Sequence, residues 1–386
     1  MVRIAHVVPS LDIGGAEMAL LRLVGSLDPD RFRSTVITLG KPGTLAPRFR
    51  ESGIEVMSAG FGRGFRGFVG PLALRRLLSA LGDCAPDIVH GWMYHGNLAA
   101  WAGQRLAAPR AALVWSIRQS LATIEHEPRP TRVVIRLGAY LSSRADQIVS
   151  NSRRAVGHHV AFGYDESRFV VIPNGFDTQR FQPDAQARRM VRAELKIPED
   201  ALVAGMIARM HPMKRHDLFL DALAELRRRG HRVHALLAGS GTDPRTSALV
   251  GQILKRGLGD QIHLLGERRD VPRLMAALDV LVSASGWAEG FSNSVGESMA
   301  CGLPCIVTDV GDSAEIVGET GIVVPTGDAS ALTEALAEFA ILPKEERRSL
   351  GLRARARIET HYAQQRSTGT TAALYESLLM AHGAHP

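Results

Sequence analysis

The sequence predicts an α/β protein made of two consecutive doubly wound parallel-sheet domains. Three observations carry that expectation. Short β-branched runs alternate with helical periods along the chain, the pattern that builds a parallel sheet flanked by helices. At 386 residues the chain exceeds what one ordinary core accommodates, which favours two domains. Near the middle, "IPNGFDTQRFQPD" at 172–184 gathers Pro, Asn, Gly and Asp where strand character stops, which is linker composition.

The first half opens on "VRIAHVVP", a β-branched run ended by a proline. It gives way to "SLDIGGAEMALLRLVGSL", whose apolar residues recur at helical spacing after a glycine pair. That reads as strand, glycine loop, helix. Further buried-type strands follow at "STVITLG", "PDIVHGW", "AALVWSI", "DQIVSNS" and "FVVIP". After the linker the series restarts with "ALVAGMIAR", a helix over about 217–229, "VHALLAGSG", a helix near 244–258, then "IHLLG", "ALDVLVSAS", "PCIVTD" and "GIVVP". Two helices, 344–361 and 363–382, close the chain. The expected division is a first domain over 1–172, a linker over 173–184 and a second domain over 185–363. Ligands of such sheets bind at the carboxyl ends of the strands, so a cleft there is the expected site.

Composition narrows the function classes. No apolar run approaches the roughly 20 residues that span a bilayer, and the start does not read as a signal peptide, so the expected location is cytoplasmic. Cys84, Cys301 and Cys305 make no disulfide framework and no paired metal spacing, and are expected to be buried, reduced thiols. Residues 1–172 hold 21 Lys and Arg against 13 Asp and Glu, whereas the remainder holds 25 against 26, so the whole positive excess lies in the first half. Its most basic stretch, "FGRGFRGFVGPLALRRLLSALG" at 61–82, has four arginines, three phenylalanines and no acid, and "RPTRVVIRLGAYLSSRA" at 129–145 is similar. Both suit an anionic membrane surface, and both also read as amphipathic helices with solvated arginines. The basic run Lys214-Arg215-His216 is too short to imply nucleic acid.

Four constellations sit where strands end. Gly14-Gly15 follows the first strand and opens a helix, where backbone N–H groups and the helix dipole favour an anion; a plain tight turn explains the pair equally well. The full G-x-G-x-x-G pattern is missing, which disfavours nicotinamide and flavin binding. "ARMHPMKRHD" puts Arg209 at the end of a second-domain strand and Lys214 five residues later, a forked donor and a compact charge that together suit a diphosphate. "EGFSNSVGESMACGLP" places Glu289 and Glu297 eight positions apart at another strand end. Ser294 and Glu297 also fit a helix capping box, and a carboxylate pair also suits glycoside hydrolysis. His90 and His95 flank the end of a first-domain strand, with no H-E-x-x-H pattern or Cys/His cluster that would hold a metal.

In this order and spacing, "GGAE", "VHGWMYHGNL", "VIPNGFDTQRF", "ARMHPMK", "LAGSG" and "EGFSNSVGESMACGLPCIVTDVGDSAEIV" resemble the retaining nucleotide-sugar glycosyltransferases of family four, with the GT-B fold and its E-x7-E motif. The resemblance covers nearly the whole chain. It implies two Rossmann-like domains facing across a cleft, the last helix from about 364 to 386 returning to the first. It implies transfer with retention from a nucleoside-diphosphate sugar, a UDP-sugar foremost, to a hydroxyl of a glycan, lipid-linked or small-molecule acceptor, with no metal and no cofactor. Arg209, Lys214 and Glu289 would carry catalysis. Glu297 would bind the ribose, and Glu289, Gly290, Phe291 and Ser292 would meet the sugar and diphosphate. Gly14, Gly15 and His95 would also belong to the donor site, and Gly266 and Glu267 would lie by the base. One departure concerns the histidines: where relatives carry His-x-His the second position is Trp92, with His95 three residues on. The rival expectation is a nucleotide-sugar-binding GT-B protein with epimerase activity or no transferase activity. A phosphorylase would need a Schiff-base lysine and a pyridoxal site, for which the sequence gives no signal.

Overall fold

The computed structural model describes residues 1–61 and 71–383. The chain divides into two compact units, Met1–Gly175 with Gln364–Pro386, and Phe176–Ala363. The first unit runs β1 (Val2–Val8), α1 (Gly15–Ser26), β2 (Phe32–Thr38), α2 (Ala46–Glu51), β3 (Glu55–Ser58), α3 (Pro71–Cys84), β4 (Ile88–Trp92), α4 (Met93–Ala107), β5 (Ala112–Ile117), α5 (Arg129–Leu141), β6 (Gln147–Ser150), α6 (Arg153–Ala161) and β7 (Phe169–Val171). The second runs α7 (Ala185–Glu194), β8 (Leu202–Ile207), α8 (His216–Arg228), β9 (Val233–Ala238), α9 (Ser247–Lys255), β10 (Ile262–Gly266), α10 (Val271–Ala276), β11 (Val280–Ser283), α11 (Asn293–Ala300), β12 (Cys305–Thr308), α12 (Ser313–Val317), β13 (Ile322–Val324), α13 (Ala329–Ile341) and α14 (Lys344–His361). The last helix, α15 (Gln364–Ala381), belongs to the first unit.

The first sheet has seven strands in the order β3-β2-β1-β4-β5-β6-β7, and the second six in the order β10-β9-β8-β11-β12-β13. Their pairings are parallel. Both faces of each sheet are covered, which is why the strands read as near-continuous apolar runs rather than alternating ones. On β1, Ile4 and Val8 pack with Leu20 of α1, Phe49 of α2 and Tyr375 of α15. Ala5 and Val7, on the opposite face, pack with Leu77 of α3, Ala100 of α4 and Ile135 of α5. In the second unit Val203 and Leu281 face α7, α11 and α14, whereas Ala204 and Val280 face α8, α9 and α13.

The sequence pattern misses β3, which is a short edge strand with both terminal residues exposed and no buried position. Its neighbour β2 anchors it in register, Thr35 to Glu55 through Thr38 to Ser58. Cys301 and Cys305 are buried free thiols as expected, but Cys84 is only half-buried. It lines a cavity of about 230 Å³ at the amino ends of β1, β2 and β3, with Arg3, Arg33, Thr35 and Glu55. Part of the basic stretch at 61–82, residues 62–70, lies outside the described residues.

Candidate functional site

In a parallel sheet the strand order reverses at one point, and the loops leaving the two strands there diverge and open a crevice. In the second unit that point lies between β8 and β11, which are direct neighbours. The loop after β8 carries Arg209 and Lys214, and the loop after β11 carries Glu289. Sequence positions 75 apart thus meet at one sheet edge.

Backbone contacts fix both loops. After β8 a 3-10 turn, Pro212–Lys214, is capped by the His211 ring, whose Nδ1 accepts from the Met213 N–H at 3.2 Å. Arg215 then takes a left-handed conformation (φ 52°), which turns the chain into α8, and its guanidinium is held by Asp217 at 3.0 Å. The second loop docks on this turn, with Gly286 N–H donating to the Met213 carbonyl at 2.7 Å. It also docks on the loop after β12, where Asp312 N–H donates to the Gly290 carbonyl at 2.9 Å. Gly311 makes that approach possible: it has φ +55°, and a Cβ there would collide with the carbonyl oxygens of Glu289 and Gly290. Between these anchors Ala288 is left-handed, φ 57°, an uncommon state for a residue with a side chain and one that aims the next residue, Glu289.

The Glu289 carboxylate accepts from Lys214 Nζ and, at 2.9 Å, from the Ser285 hydroxyl. The two charged side chains are 17% and 11% exposed, so the pair is largely removed from water. Burial alone would raise the Glu289 pKa; Lys214, the Ser285 hydroxyl and the charge of Arg209 together outweigh it and hold the carboxyl below its ordinary value. Arg209 itself is exposed. The cluster therefore carries two cations against one ionised carboxylate, a local excess of one positive charge that an anion would neutralise.

Glu297 sits in α11, whose N-cap is Ser292 with no side-chain capping bond. This overturns the capping box expected at Ser294 and Glu297. Ser294 is the second helical residue and its hydroxyl lies 3.4 Å from that of Ser292, while Glu297 is the fifth, past the reach of a box. The helix enters early because the Phe291 side chain is buried, stacked 6.1 Å from Phe176 and edge-on at 5.4 Å to Tyr362. Phe291 thus has only its main chain to offer a ligand. The Phe176 ring fills the space where a Cβ on Gly296 would stand.

Gly266 and Glu267 end β10, two strands from β8. Gly266 is left-handed (φ +62°) and its carbonyl accepts from Gly239 N–H at 2.8 Å, whereas Glu267 is exposed. The remaining candidates belong to the first unit, where the order reverses between β1 and β4. Gly14 is the extended N-cap of α1 and lies against the Glu17 carboxylate, which occupies the space of a Cβ there. His95 is half-buried in the first turn of α4, and burial lowers its pKa. His90 does not point at a site. It is buried, with Nδ1 2.7 Å from the Tyr375 hydroxyl and Nε2 2.9 Å from that of Ser116, so both nitrogens are committed to the core. Ser285, Gly286 and Gly311, which support Glu289, went unnoticed in the sequence; the glycines after strand ends are the available signal. Among the described residues no group of three or more His, Cys, Asp or Glu could hold a metal ion.

Two family profiles match the chain: Glycosyltransferase Family 4 over residues 13–180 and Glycosyl transferases group 1 over 201–340. The lipopolysaccharide core biosynthesis mannosyltransferase LpsB of Rhizobium meliloti is 31% identical over 247 residues, 62% of this chain and 68% of LpsB. The chain belongs to glycosyltransferase family 4. A second relative of this glycosyltransferase, the D-inositol 3-phosphate glycosyltransferase of Salinispora arenicola, is 25% identical over 318 residues, 77% of this chain and 70% of the relative. The fold is GT-B. Anabaena HepE in complex with UDP-glucose superposes with a TM-score of 0.84 at 23% identity, covering 97% of this chain and all of HepE, and WaaG with 0.72 at 16%, covering 97% and 99%.

Proposed function

We propose that this glycosyltransferase takes its sugar from a nucleoside-diphosphate sugar, a UDP-sugar foremost, and transfers it with retention and without a metal ion to an acceptor hydroxyl. The observation that carries the reading is the convergence of Arg209, Lys214 and Glu289 at the β8–β11 reversal. Two cations there match a diphosphate, and preorganised charge acts most where negative charge develops on the departing group. A diphosphate oxygen can take the acceptor proton, so the reaction needs no protein nucleophile. Glu289 faces the donor sugar as an ionised acceptor of hydroxyl hydrogen bonds, and Glu297 is assigned to the ribose. Gly290, Phe291 and Ser292 contribute main-chain groups at the start of α11, and Gly266 and Glu267 are assigned to the base. For Gly14, Gly15 and His95 the roles stay those that the resemblance implies. UDP-glucose in HepE, which shares the fold, supports the choice of base. The name of LpsB supports a glycan or lipid-linked acceptor.

A peripheral position at an anionic membrane completes the reading, supported by exposed Val133, Leu137 and Tyr140 on α5 beside exposed Arg129, Arg136 and Arg144.

A thermal-shift screen of UDP-, GDP- and ADP-sugars tests the donor, because a ligand of the native state must raise its melting temperature. A shift with UDP-sugars is expected, and Glu297→Gln should weaken binding by about 1–3 kcal/mol, the scale of a charged hydrogen bond. The absence of a shift with every nucleotide sugar would refute the reading. Donor bound without any hydrolysis or transfer would favour a silent binding protein instead.

A further inference from the structure

Arg118 follows β5 directly, on the carboxyl edge of the first unit's sheet. Its guanidinium lies over the Trp92 ring, 4.7 Å from the centroid, and Nη1 donates to Asn174 Oδ1 at 2.7 Å. The Nε–H is buried and meets no acceptor. No carboxylate bonds to Arg118 among the described residues, and the largest charge that acts on it is another cation, Arg22 of α1, ahead of the Tyr375 hydroxyl. Burial first, and Arg22 second, lower its pKa to about 10, which still leaves it charged at neutral pH. Buried charges are normally paired because an isolated one is costly to desolvate, so a half-buried guanidinium facing a second cation is a charge awaiting an anion.

The neighbouring strands supply a complementary group. Asn151 follows β6 and Asn174 follows β7, so the two asparagines and Arg118 stand on three adjacent strand ends. Asn174 Oδ1 accepts from Asn151 Nδ2 at 3.4 Å as well as from Arg118. Asn151 is 2% exposed, and its own Oδ1 has no partner. One edge therefore holds a half-buried forked cation with a buried, unused N–H and, linked to it through Asn174, a buried carbonyl acceptor without a partner. A plain structural brace for Trp92 would need the cation over the ring but leaves both unused groups without explanation.

We infer that Arg118 binds a phosphate or carboxylate group carried by the acceptor, and that Asn151 accepts a hydrogen bond from a hydroxyl of the same molecule. Calling that ligand the acceptor rests on the transferase reading above; the anion site itself does not.

The test uses the full chain saturated with UDP, so that the groups assigned to the diphosphate are occupied, and measures the binding of glucose 6-phosphate, glucuronate and glucose. Glucose 6-phosphate or glucuronate should bind and glucose should not, the better anion telling phosphate from carboxylate chemistry. Arg118→Gln should weaken the anion about tenfold or more, the worth of a charge-assisted hydrogen bond, with Arg118→Lys keeping part of the affinity. Asn151→Asp, which is nearly isosteric and sets a negative charge beside Arg118, should abolish it and guards against a misfolded Arg118 variant. Anion binding equal to wild type in Asn151→Asp or in folded Arg118→Gln overturns the site, and so does glucose binding as well as either anion or no anion binding at all. A UDP shift that is missing in the wild type refutes the donor assignment instead, and the comparison of variants is still read.

Discussion

In the proposed reaction the Lys214–Glu289 pair would serve both the resting protein and the transfer. In the absence of donor each side chain satisfies the other in a place mostly closed to water, and the Ser285 hydroxyl orients the carboxylate. A diphosphate competing for Lys214 would leave Glu289 held by Ser285 and free to accept from sugar hydroxyls. Lys214→Met strands a carboxylate mostly closed to water, which should cost about 1–3 kcal/mol of stability and lower transfer by about a hundredfold or more. Glu289→Gln keeps the hydrogen bond from Ser285 and should cost less. In the double variant no charge is left unpaired, so its destabilisation should fall short of the sum of the single changes. Urea unfolding of the four proteins checks this, and additive losses would show that the pair is not coupled. Both partners were legible in the sequence, because charged residues after strand ends in an apolar context stand out. The left-handed Ala288 that aims Glu289 was not, since alanine carries no sign of that conformation. The capping box misled because Ser-x-x-Glu has no unique register, and the buried ring of Phe291 decides where α11 begins.

Among the elements, the loop after β11 is positioned by glycine on a different loop, so its weak point is remote in sequence. Gly311→Ala adds a methyl where the Glu289 and Gly290 carbonyls stand and imposes a side chain on a left-handed residue. We expect a loss of about 1–3 kcal/mol in stability together with weaker donor affinity, read by thermal unfolding and by titration with UDP. Unchanged donor affinity would mean that the loop does not hold the donor. All the long, doubly buried strands were recoverable from apolar runs, but β3 was not, because an edge strand with exposed ends lacks that signature. The opposite case is α5, where Val133 (63%), Leu137 (46%) and Tyr140 (82%) form an exposed stripe that none of the described residues buries, while Arg132 is spent on the carbonyls of Glu125 and Glu127. Cosedimentation with phosphatidylglycerol vesicles at low salt should exceed that with phosphatidylcholine, fall at high salt, and drop in Leu137→Glu/Tyr140→Glu. Equal recovery with both lipids would exclude this helix as a membrane contact.

On the scale of the whole molecule, buried histidines set the response to acid. His6, which accepts from the Trp92 indole at 3.2 Å, has its pKa lowered by burial to about 3. His90 lies well below its ordinary value, chiefly through burial and then through the charges of His6 and Arg118. His159 in the first unit and His216 in the second are lowered, again mainly by burial, to about 4. Each would bind a proton below about pH 6.5 in the unfolded chain; in the folded one His6, His159 and His216 stay neutral down to about pH 3–4, and His90 stays neutral well below its ordinary value. The unfolded state thus binds more protons across that window, so stability is fully present above about pH 6.5 and is lost as pH falls through it, by up to about 1.4 kcal/mol per histidine per pH unit. Glu289, with its depressed pKa, adds a loss in the same direction at lower pH. His6, His90 and His159 belong to the first unit, and His216 with His234 and His263, also lowered chiefly by burial, to the second, so the amides of both units should lose protection from hydrogen exchange as the pH is taken from 7.5 to 5. His6→Asn, whose carbonyl can still accept from Trp92, should flatten the dependence by about one proton. A stability that stays flat between pH 7.5 and 5 would show that these histidines already find compensation for their burial.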